Sequence, residues 1–312
     1  MLCVVAPGQG AQSAGMLEPW LELPGVAETL SNWSEASKVD LLLHGTKSDG
    51  ETIRDTAIAQ ALLVANSLLA INQIFPERLD LLRQVHLVAG HSVGELVAAA
   101  ISGVIDENAA MELVGVRGRA MAVAAAITPT SMTAVLGGEP DQVIEHLTKL
   151  DLVAANVNGA GQIIAAGTLE ALARLAENPP AKTKLRPLSV AGAFHTKHMQ
   201  AAVEALRGAT MEIAVKDPEI TLLSNRDGAI VDTGEDAIAR IVTQVSNPVR
   251  WDLCQKSMAR IGVTGILELA PGGTLANIAK REFDDVQTLA IKSPADLTGA
   301  KEFILSHQRR AA

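Results

Sequence analysis

One short segment constrains the fold of this chain more than any other, because it sets a serine between two glycines directly after an apolar run. Residues 85–96 read VHLVAGHSVGEL, so the apolar run ends at Gly90 and a helix-forming stretch begins just after Ser92. Strand, sharp turn and helix in this order push a serine hydroxyl out of the backbone, where a carbonyl can reach it. A side chain at position 90 or at Gly94 would crowd the strained turn. The segment therefore predicts a strand–turn–helix unit with a nucleophilic serine.

A second candidate is the base that such a serine needs within hydrogen-bond reach. The chain has seven histidines. His91 adjoins Ser92, but neighbours on a sharp turn point their side chains apart, so we reject it. His195 follows the apolar residues 190–194, where a predicted strand over residues 185–190 breaks at a glycine. A loop histidine is usually a solvated side chain, yet this strand-end position favours His195 as the base.

The order of predicted elements indicates an α/β protein built of two units. Residues 1–121 and 192–312 alternate strands with helices, which predicts a large α/β-hydrolase-like domain with a mostly parallel sheet. Residues 122–191 follow the order β-α-β-β-α-β, which is typical of a ferredoxin-like subdomain inserted into the larger domain. A helix is expected over residues 107–121, immediately before the insertion.

The predicted sheet also indicates where a site would form. Ligand sites of open parallel sheets lie at the carboxyl ends of the strands. Gln9, Ser92 and His195 each follow closely after a predicted strand. We therefore expect these residues to converge on one sheet edge, with the substrate in the cleft between the two units.

Composition argues against several classes of protein. The net charge of −9 and an aromatic content of 2% disfavour a nucleic-acid partner, which needs basic surface and often stacking side chains. The two cysteines, Cys3 and Cys254, give neither a disulfide framework nor metal-ligand spacing. We therefore expect no bound metal and no nucleic acid.

A membrane location is also disfavoured. The uncharged residues 56–75 are long enough to consider as a span, but they contain Gln60 and Asn66 and are better interpreted as a buried helix. Residues 1–6 lack the basic start of a signal peptide. These features predict a cytoplasmic protein that does not associate with a membrane.

Several motifs occur in the order in which one enzyme family carries them. The chain resembles the malonyl-CoA:acyl carrier protein transacylases over nearly its whole length. The resemblance implies transfer of a malonyl group from malonyl-CoA to the phosphopantetheine thiol of acyl carrier protein through a malonyl-serine, for fatty-acid or polyketide synthesis, without a cofactor. The motifs are PGQGAQ at residues 7–12, GHSVGE at 90–95, Arg117-Gly118, Asn156-Val157-Asn158 with Gln162, Ala193-Phe194-His195, and Asn247-Pro248-Val249-Arg250-Trp251.

The resemblance also implies roles for the residues around the reacting bond. Ser92 corresponds to the nucleophile, His195 to its general base, and the backbone N–H groups of Gln9 and Val93 to the oxyanion hole. A helix that opens at Val93 suits this role, because its free N–H groups favour negative charge. The family orients its histidine through a backbone carbonyl in the N-P-V-x-W segment, which here is that of Arg250, where several relatives carry glutamine.

Four further residues are implied to bind substrate: Arg117, Gln60, Phe194 and Asn156. Arg117 corresponds to the arginine that pairs with the free malonyl carboxylate, and a guanidinium can give that group two parallel hydrogen bonds. Phe194 corresponds to an aromatic residue whose bulk crowds branched acyl chains. Arg119 projects from a different helix face and is expected to be solvated.

The partner implied by the resemblance is acyl carrier protein, which is acidic. Because this chain is acidic as well, docking needs a local basic patch. Each candidate residue could equally be ordinary solvated surface. The candidates are Lys182, Lys184, Arg186, Lys280 and Arg281.

Two other functions remain open from the motifs. A serine thioesterase or other hydrolase of the same fold would share the serine turn, since the turn does not distinguish water from a thiol as the second nucleophile. A carrier-binding scaffold without chemistry would keep the fold alone. Arg117 favours transfer of a carboxylated acyl group, because a hydrolase of simple esters has no need of it.

Overall fold

The structure, a computed structural model, describes residues 1–307, which fold around two β-sheets. The strands are β1 Leu2–Ala6, β2 Leu87–Gly90, β3 Thr130–Gly137, β4 Val153–Gly159, β5 Gln162–Thr168, β6 Thr183–Pro187, β7 Thr221–Leu223, β8 Ile230–Val231, β9 Val249–Arg250, β10 Gly265–Glu268 and β11 Gln287–Ala290. The larger sheet has the order β11-β10-β1-β2-β7-β8, and its neighbours are parallel except for β7 with β8. The expected mostly parallel sheet is confirmed.

Helices cover both faces of this sheet. Because successive side chains of a strand point to opposite faces, Val4 of β1 packs into one buried core and Val5 into another. Residues of α3, α5 and α6 fill the first core, and residues of α11 and α12 fill the second. The helices are α1 Val26–Ser37, α2 Leu41–Thr46, α3 Thr56–Ile74, α4 Arg78–Gln84, α5 Gly94–Ser102, α6 Glu107–Ile127, α7 Pro140–Lys149, α8 Leu169–Glu177, α9 Gln200–Thr210, α10 Gly234–Gln244, α11 Trp251–Ile261, α12 Thr274–Glu282 and α13 Leu297–Ser306.

Helix α3 is the apolar stretch that the sequence raised as a membrane candidate. It begins after Asp55, whose carboxylate accepts a hydrogen bond from the Ala57 N–H at 2.8 Å and so caps the helix. Within residues 1–307 it is the one helix with the length and composition to cross a bilayer, yet 78% of that stretch is buried inside the protein. A helix that is apolar on all sides is typical of a central core position.

The smaller sheet carries the ferredoxin-like unit. Its strands lie in the order β6-β3-β5-β4, all antiparallel to their neighbours, with α7 and α8 packed on one face. The predicted β-α-β-β-α-β order is confirmed. A fifth strand, β9, joins this sheet parallel to β4 although it lies outside residues 122–191.

Two predicted boundaries differ from the structure. Helix α6 continues past residue 121 to Ile127 and ends before Pro129, because a residue that precedes proline is pushed out of the helical region. Strand β6 covers Thr183–Pro187 instead of residues 185–190. The segment just after Pro187 still contacts β3, because the Leu188 N–H donates to the Met132 carbonyl at 3.0 Å.

The neighbouring strands β1 and β2 bring two loops together. They are parallel, with Cys3 opposite Leu87 and Ala6 opposite Gly90, so both strands end at the same edge of the sheet. The loop after β1 lies tightly on the serine turn, since a methyl group at Gly8 would overlap His91. This close contact sets the loop after β1 beside Ser92.

Candidate active site

The turn around Ser92 has the strained geometry that the sequence predicted. Ser92 lies at φ +55°, a conformation that residues with a side chain rarely adopt. A methyl group at Gly90 would overlap the backbone of Gly94, and one at Gly94 would overlap the Ala6 carbonyl. The N–H of Ser92 donates to Oδ1 of Asn225 at 2.8 Å. Helix α5 begins at once, so the strand–turn–helix prediction is confirmed.

His195 lies against this serine. Its Nε2 is 2.7 Å from Oγ of Ser92, and its Nδ1 is 2.9 Å from the carbonyl oxygen of Gln244. Because a carbonyl can only accept, Nδ1 carries the proton and Nε2 is free to accept one from the serine. Burial, and next the charge of Arg117, lower the pKa of His195 to about 3. The imidazole is therefore neutral at physiological pH, which is the form that can accept a proton.

The carbonyl that orients His195 is not the one predicted. Gln244 ends helix α10, where the last carbonyls have no partner within the helix and remain available to an outside donor. The predicted residue, Arg250, lies in β9 and donates its N–H to the Asn225 carbonyl instead. Its guanidinium pairs with Asp252 at 2.8 and 2.9 Å. The Arg250 assignment was therefore wrong, although the expectation of a backbone carbonyl was correct.

Arg117 sets a positive charge beside the serine. Its side chain is 2% exposed and donates to Oε1 of Gln60 at 2.5 Å and to Oγ of Ser92 at 3.2 Å. Burial lowers the pKa of Arg117 to about 10, against the attraction of Glu95. The guanidinium thus stays charged at neutral pH. Gln60 fixes one end of it, and the other end reaches the Ser92 hydroxyl.

Two neighbouring side chains point elsewhere. Nε2 of His91 lies 2.8 Å from Oδ1 of Asn158, in agreement with its rejection as the base. Arg119 donates to the Ser37 carbonyl at 2.7 Å and is half-buried, so the expectation that it is solvated was wrong. A long side chain on a partly covered helix face can bury its stem while its head bonds a nearby backbone group.

These residues line one cavity of about 240 Å³ between the two sheets. Its floor is polar, with the serine, the histidine and the arginine, and one wall is apolar. Every predicted site residue except Arg250 contributes to the lining. The predicted residues in the wall are Gln9, Gln60, Ser92, Val93, Arg117, Asn156, Phe194 and His195.

The cavity also holds two unused backbone donors. Within residues 1–307, neither the N–H of Val93 nor that of Gln9 donates to another group of the protein. Val93 directly precedes α5, and Gln9 lies in the loop packed on the serine turn. Two free N–H groups near a nucleophile are suited to stabilising an oxyanion, and each such donor typically contributes about 10²–10³ in rate.

Sequence reasoning missed Asn225 and Glu95. Asn225 follows β7, which pairs with β2, so the rule that sites form at the carboxyl ends of parallel strands could have found it. Glu95 is 4% exposed, and its Oε1 accepts the Asn225 N–H at 2.8 Å. A glutamate within an apolar stretch just after Ser92 was a visible signal, because glutamate is almost never fully buried without a partner.

Comparison with known proteins identifies the family. Residues 4–302 match the acyl transferase domain family. The chain is 51% identical over 297 residues to malonyl CoA-acyl carrier protein transacylase of Mycobacterium tuberculosis, a match that covers 95% of this chain and 98% of that protein. The chain belongs to the malonyl CoA-acyl carrier protein transacylases. The resemblance seen in the sequence is confirmed.

Solved structures of transacylases share the fold. The crystal structure of MCAT from Mycobacterium tuberculosis has a TM-score of 0.92 at 50% identity and covers 96% of this chain and 99% of that one. A second structure, PlMCAT:AntF, is described as a type II PKS acyl-carrier protein in complex with its malonyl-transacylase. It has a TM-score of 0.87 at 27% identity over 96% of this chain and 99% of that chain. The predicted α/β class with an inserted ferredoxin-like unit is thus confirmed.

Proposed function

We propose that this protein moves a malonyl group from malonyl-CoA to the phosphopantetheine thiol of an acyl carrier protein, in support of fatty-acid synthesis. The observation that carries the proposal is the position of Ser92 Oγ, 2.7 Å from a buried neutral imidazole and 3.2 Å from a buried guanidinium. A base activates the hydroxyl, and a fixed cation selects an acyl group that ends in a carboxylate.

The first half-reaction forms an ester on Ser92. Oγ attacks the thioester carbonyl of malonyl-CoA while Nε2 of His195 takes the hydroxyl proton. The negative carbonyl oxygen is held by the N–H groups of Val93 and Gln9. The carbon–sulfur bond then breaks, and His195 returns the proton to the coenzyme A thiolate as it leaves.

The second half-reaction reverses these roles with a different thiol. His195 removes the proton from the phosphopantetheine thiol of the carrier, and the thiolate attacks the malonyl-serine carbonyl. The oxyanion forms at the same two N–H groups. The carbon–oxygen bond to Ser92 breaks, and the serine regains its proton from His195.

Arg117 holds the malonyl carboxylate through both half-reactions. Gln60 fixes one guanidinium nitrogen, so the side chain is already oriented before substrate arrives. Carboxylate binding also places a negative charge beside Arg117, which opposes the cation's effect on the imidazolium. Phe194 and Asn156 line the same cavity and limit the size of the acyl group there.

Carrier docking is assigned to exposed basic residues near the cavity. Lys184 lies opposite Leu136 of β3, and Arg186 lies opposite Ala134. Because the two basic residues are two positions apart in β6, they point to the same face of the sheet. Helix α12 begins with cavity-lining residues and carries Lys280 and Arg281 in its last turn. A relative solved with a carrier protein supports a protein partner of this class. The docking candidates are Lys182, Lys184, Arg186, Lys280 and Arg281.

The proposal extends to the domains that carry the reaction and to its location in the cell. We propose that residues 1–121 and 192–312 form the catalytic domain, that residues 122–191 form the facing subdomain, and that catalysis takes place in the cytoplasm without a cofactor. No group of three His, Cys, Asp or Glu side chains among residues 1–307 is arranged to hold a metal ion.

The test is a transfer assay with malonyl-CoA and a panel of purified carrier proteins, with separation of malonyl-carrier from free malonate. We expect malonyl-carrier as the main product, and Ser92→Ala to abolish it. Ser306→Ala, at an exposed serine in α13, is the matched control and should leave it unchanged. Free malonate as the main product with every carrier would favour the thioesterase alternative. No turnover and no acylation in the wild type would favour a scaffold.

A further inference from the structure

Asn225 is fully buried behind the serine turn, and each of its polar groups is hydrogen-bonded. Its side-chain Oδ1 accepts from the N–H of Ser92 at 2.8 Å, and its Nδ2 donates to the carbonyl of Gly90 at 2.7 Å. Its backbone N–H donates to Glu95, and its backbone carbonyl accepts from Arg250, each at 2.8 Å. One asparagine thus joins the end of β2, the nucleophile, helix α5 and strand β9.

The two side-chain hydrogen bonds fix the strained turn at Gly90 and at Ser92. Ser92 lies at φ +55°, which persists only where the surroundings hold it there. The amide of Asn225 bonds the backbone at Gly90 and at Ser92 itself, from the loop just after β7, which neighbours β2. A side chain with both a donor and an acceptor is needed for this, and asparagine supplies the two on one rigid plane.

Glu95 in turn fixes Asn225. Its Oε1 accepts the Asn225 N–H, and its Oε2 has no partner within the described residues. Burial raises the pKa of Glu95 to about 7, against the lowering effects of the Asn225 hydrogen bond and of Arg117. Because only the acceptor at Oε1 is used, the neutral amide of glutamine can replace it.

We propose that Asn225 is a positioning residue, held by Glu95, that fixes the backbone of Ser92 so that its hydroxyl points at His195 and the adjacent Val93 N–H points at the oxyanion. This inference rests on the proposed role of Ser92 as the nucleophile. Asn225 touches neither substrate nor the reacting atoms. It acts by orienting two groups that do, the Ser92 hydroxyl and the Val93 N–H.

The inference predicts a split between rate and binding. Asn225→Ala leaves the Ser92 N–H and the Gly90 carbonyl without their partners and frees the turn to relax. A displacement of about 1 Å at a reacting group can cost about 10²-fold in rate. Arg117 and Gln60 remain in place, so the KM for malonyl-CoA should change by less than about threefold. A purely structural role would lower the melting temperature and leave kcat per folded molecule intact.

The experiment measures kcat, KM, melting temperature and the rate of labelling by a fluorophosphonate for the wild type and five variants. We expect Asn225→Ala to lower both kcat and labelling about 10²-fold. Glu95→Ala should lower both kcat and the labelling rate, whereas Glu95→Gln should keep most of the wild-type value of each. Leu175→Ala, which opens the core of the smaller sheet away from the serine, is the control for general destabilisation. It should lower the melting temperature without this kinetic pattern.

The outcomes separate this inference from the proposed function. Labelling that persists in Ser92→Ala would overturn the nucleophile itself. Labelling that disappears in Ser92→Ala but proceeds at the wild-type rate in Asn225→Ala would overturn only the positioning role. If Asn225→Ala does not fold, the Glu95 pair decides, and equal rates for Glu95→Ala and Glu95→Gln would overturn the inference.

Discussion

Ser92 and His195, the proposed nucleophile and its proposed base, have the same kind of backbone strain, but the chain holds them in different ways. Ser92 lies at φ +55° and His195 at φ +60°. At Ser92 the turn is shaped by glycines two residues away on either side, Gly90 and Gly94. At His195 the ring is fixed by a carbonyl far along the chain, that of Gln244. The local glycine spacing therefore makes the serine turn predictable, although Asn225 also holds it, whereas the histidine is set by tertiary contacts alone.

The largest expected effect breaks the local half of this comparison. Gly94→Ala would drive a methyl group into the Ala6 carbonyl, and overpacking of this kind costs about 3 kcal/mol of stability. We expect a lower melting temperature and no transfer activity. Gly208→Ala is the matched control, because α9 offers open space there and alanine favours a helix. Full activity in Gly94→Ala would contradict the account of the turn.

The next effect tests the long-range half. His195→Ala removes the base and should lower acylation by about 10²–10⁴-fold, the usual contribution of general base catalysis. His198→Ala, at a half-buried histidine nearby, should stay within about threefold of the wild type. Rapid-quench measurement of acylation with malonyl-CoA checks both variants. Equal losses in the two would remove His195 from its role.

Arg117 sharpens the comparison, because it bears on both groups. Arg117→Ala should weaken malonyl transfer about 10–10²-fold more than acetyl transfer, since a hydrogen-bonded charge is typically worth about 1.5–3 kcal/mol. Arg119→Ala, whose guanidinium bonds a backbone carbonyl of α1, is the control. The two donors are compared by kcat/KM. Equal loss for malonyl and acetyl groups would show that the arginine does not select the carboxylate.

The pH dependence follows from the same arginine. Burial and the Arg117 charge lower the pKa of His195 to about 3, and a base works in its neutral form above its pKa. The acid limb of kcat/KM should therefore lie well below pH 6.5. In Arg117→Ala, followed with an acetyl donor, the limb should move to higher pH. An unchanged limb near pH 6.5 in both proteins would contradict this electrostatic coupling.

The smallest effect concerns the carbonyl behind His195. Because a backbone oxygen of Gln244 orients the ring, Gln244→Ala should stay within about threefold of the wild type. Arg250→Ala should do the same, since its side chain pairs with Asp252 at a partly exposed site, where ion pairs are worth about 0–1 kcal/mol. Steady-state transfer assays suffice for both. A loss of more than about tenfold in Gln244→Ala would mean that its side chain also matters.

The same contrast explains what could be read from the sequence. The serine turn, the two-unit order and most strands of the larger sheet follow from apolar runs and glycine spacing, which are local. Gln244 reaches the site only through folding, so no spacing in the chain points to it, and Asn225 is signalled only by its position just after β7. Helix α6 extends six residues beyond its predicted end at residue 121, because its alanine-rich stretch continues almost to Pro129. The two-residue strands β8 and β9 were missed, because so short a run has no periodicity to detect.

The resemblance to a family supplied what spacing could not. It identified Arg117 and Gln60, which the structure joins by a hydrogen bond 57 residues apart in sequence. It also carried one wrong assignment, Arg250, because a backbone carbonyl has no residue signature. A motif shared with a family identifies residues whose side chains act. The backbone carbonyl that bonds His195 depends instead on where helix α10 ends, which no motif records.

The most direct test of the central claim is a rapid-quench experiment during turnover, followed by peptide mass mapping. With malonyl-CoA alone, a malonyl ester should accumulate on the peptide that contains Ser92, and addition of carrier protein should discharge it to malonyl-carrier. Turnover without any ester on that peptide, or an ester on another residue, would contradict the account.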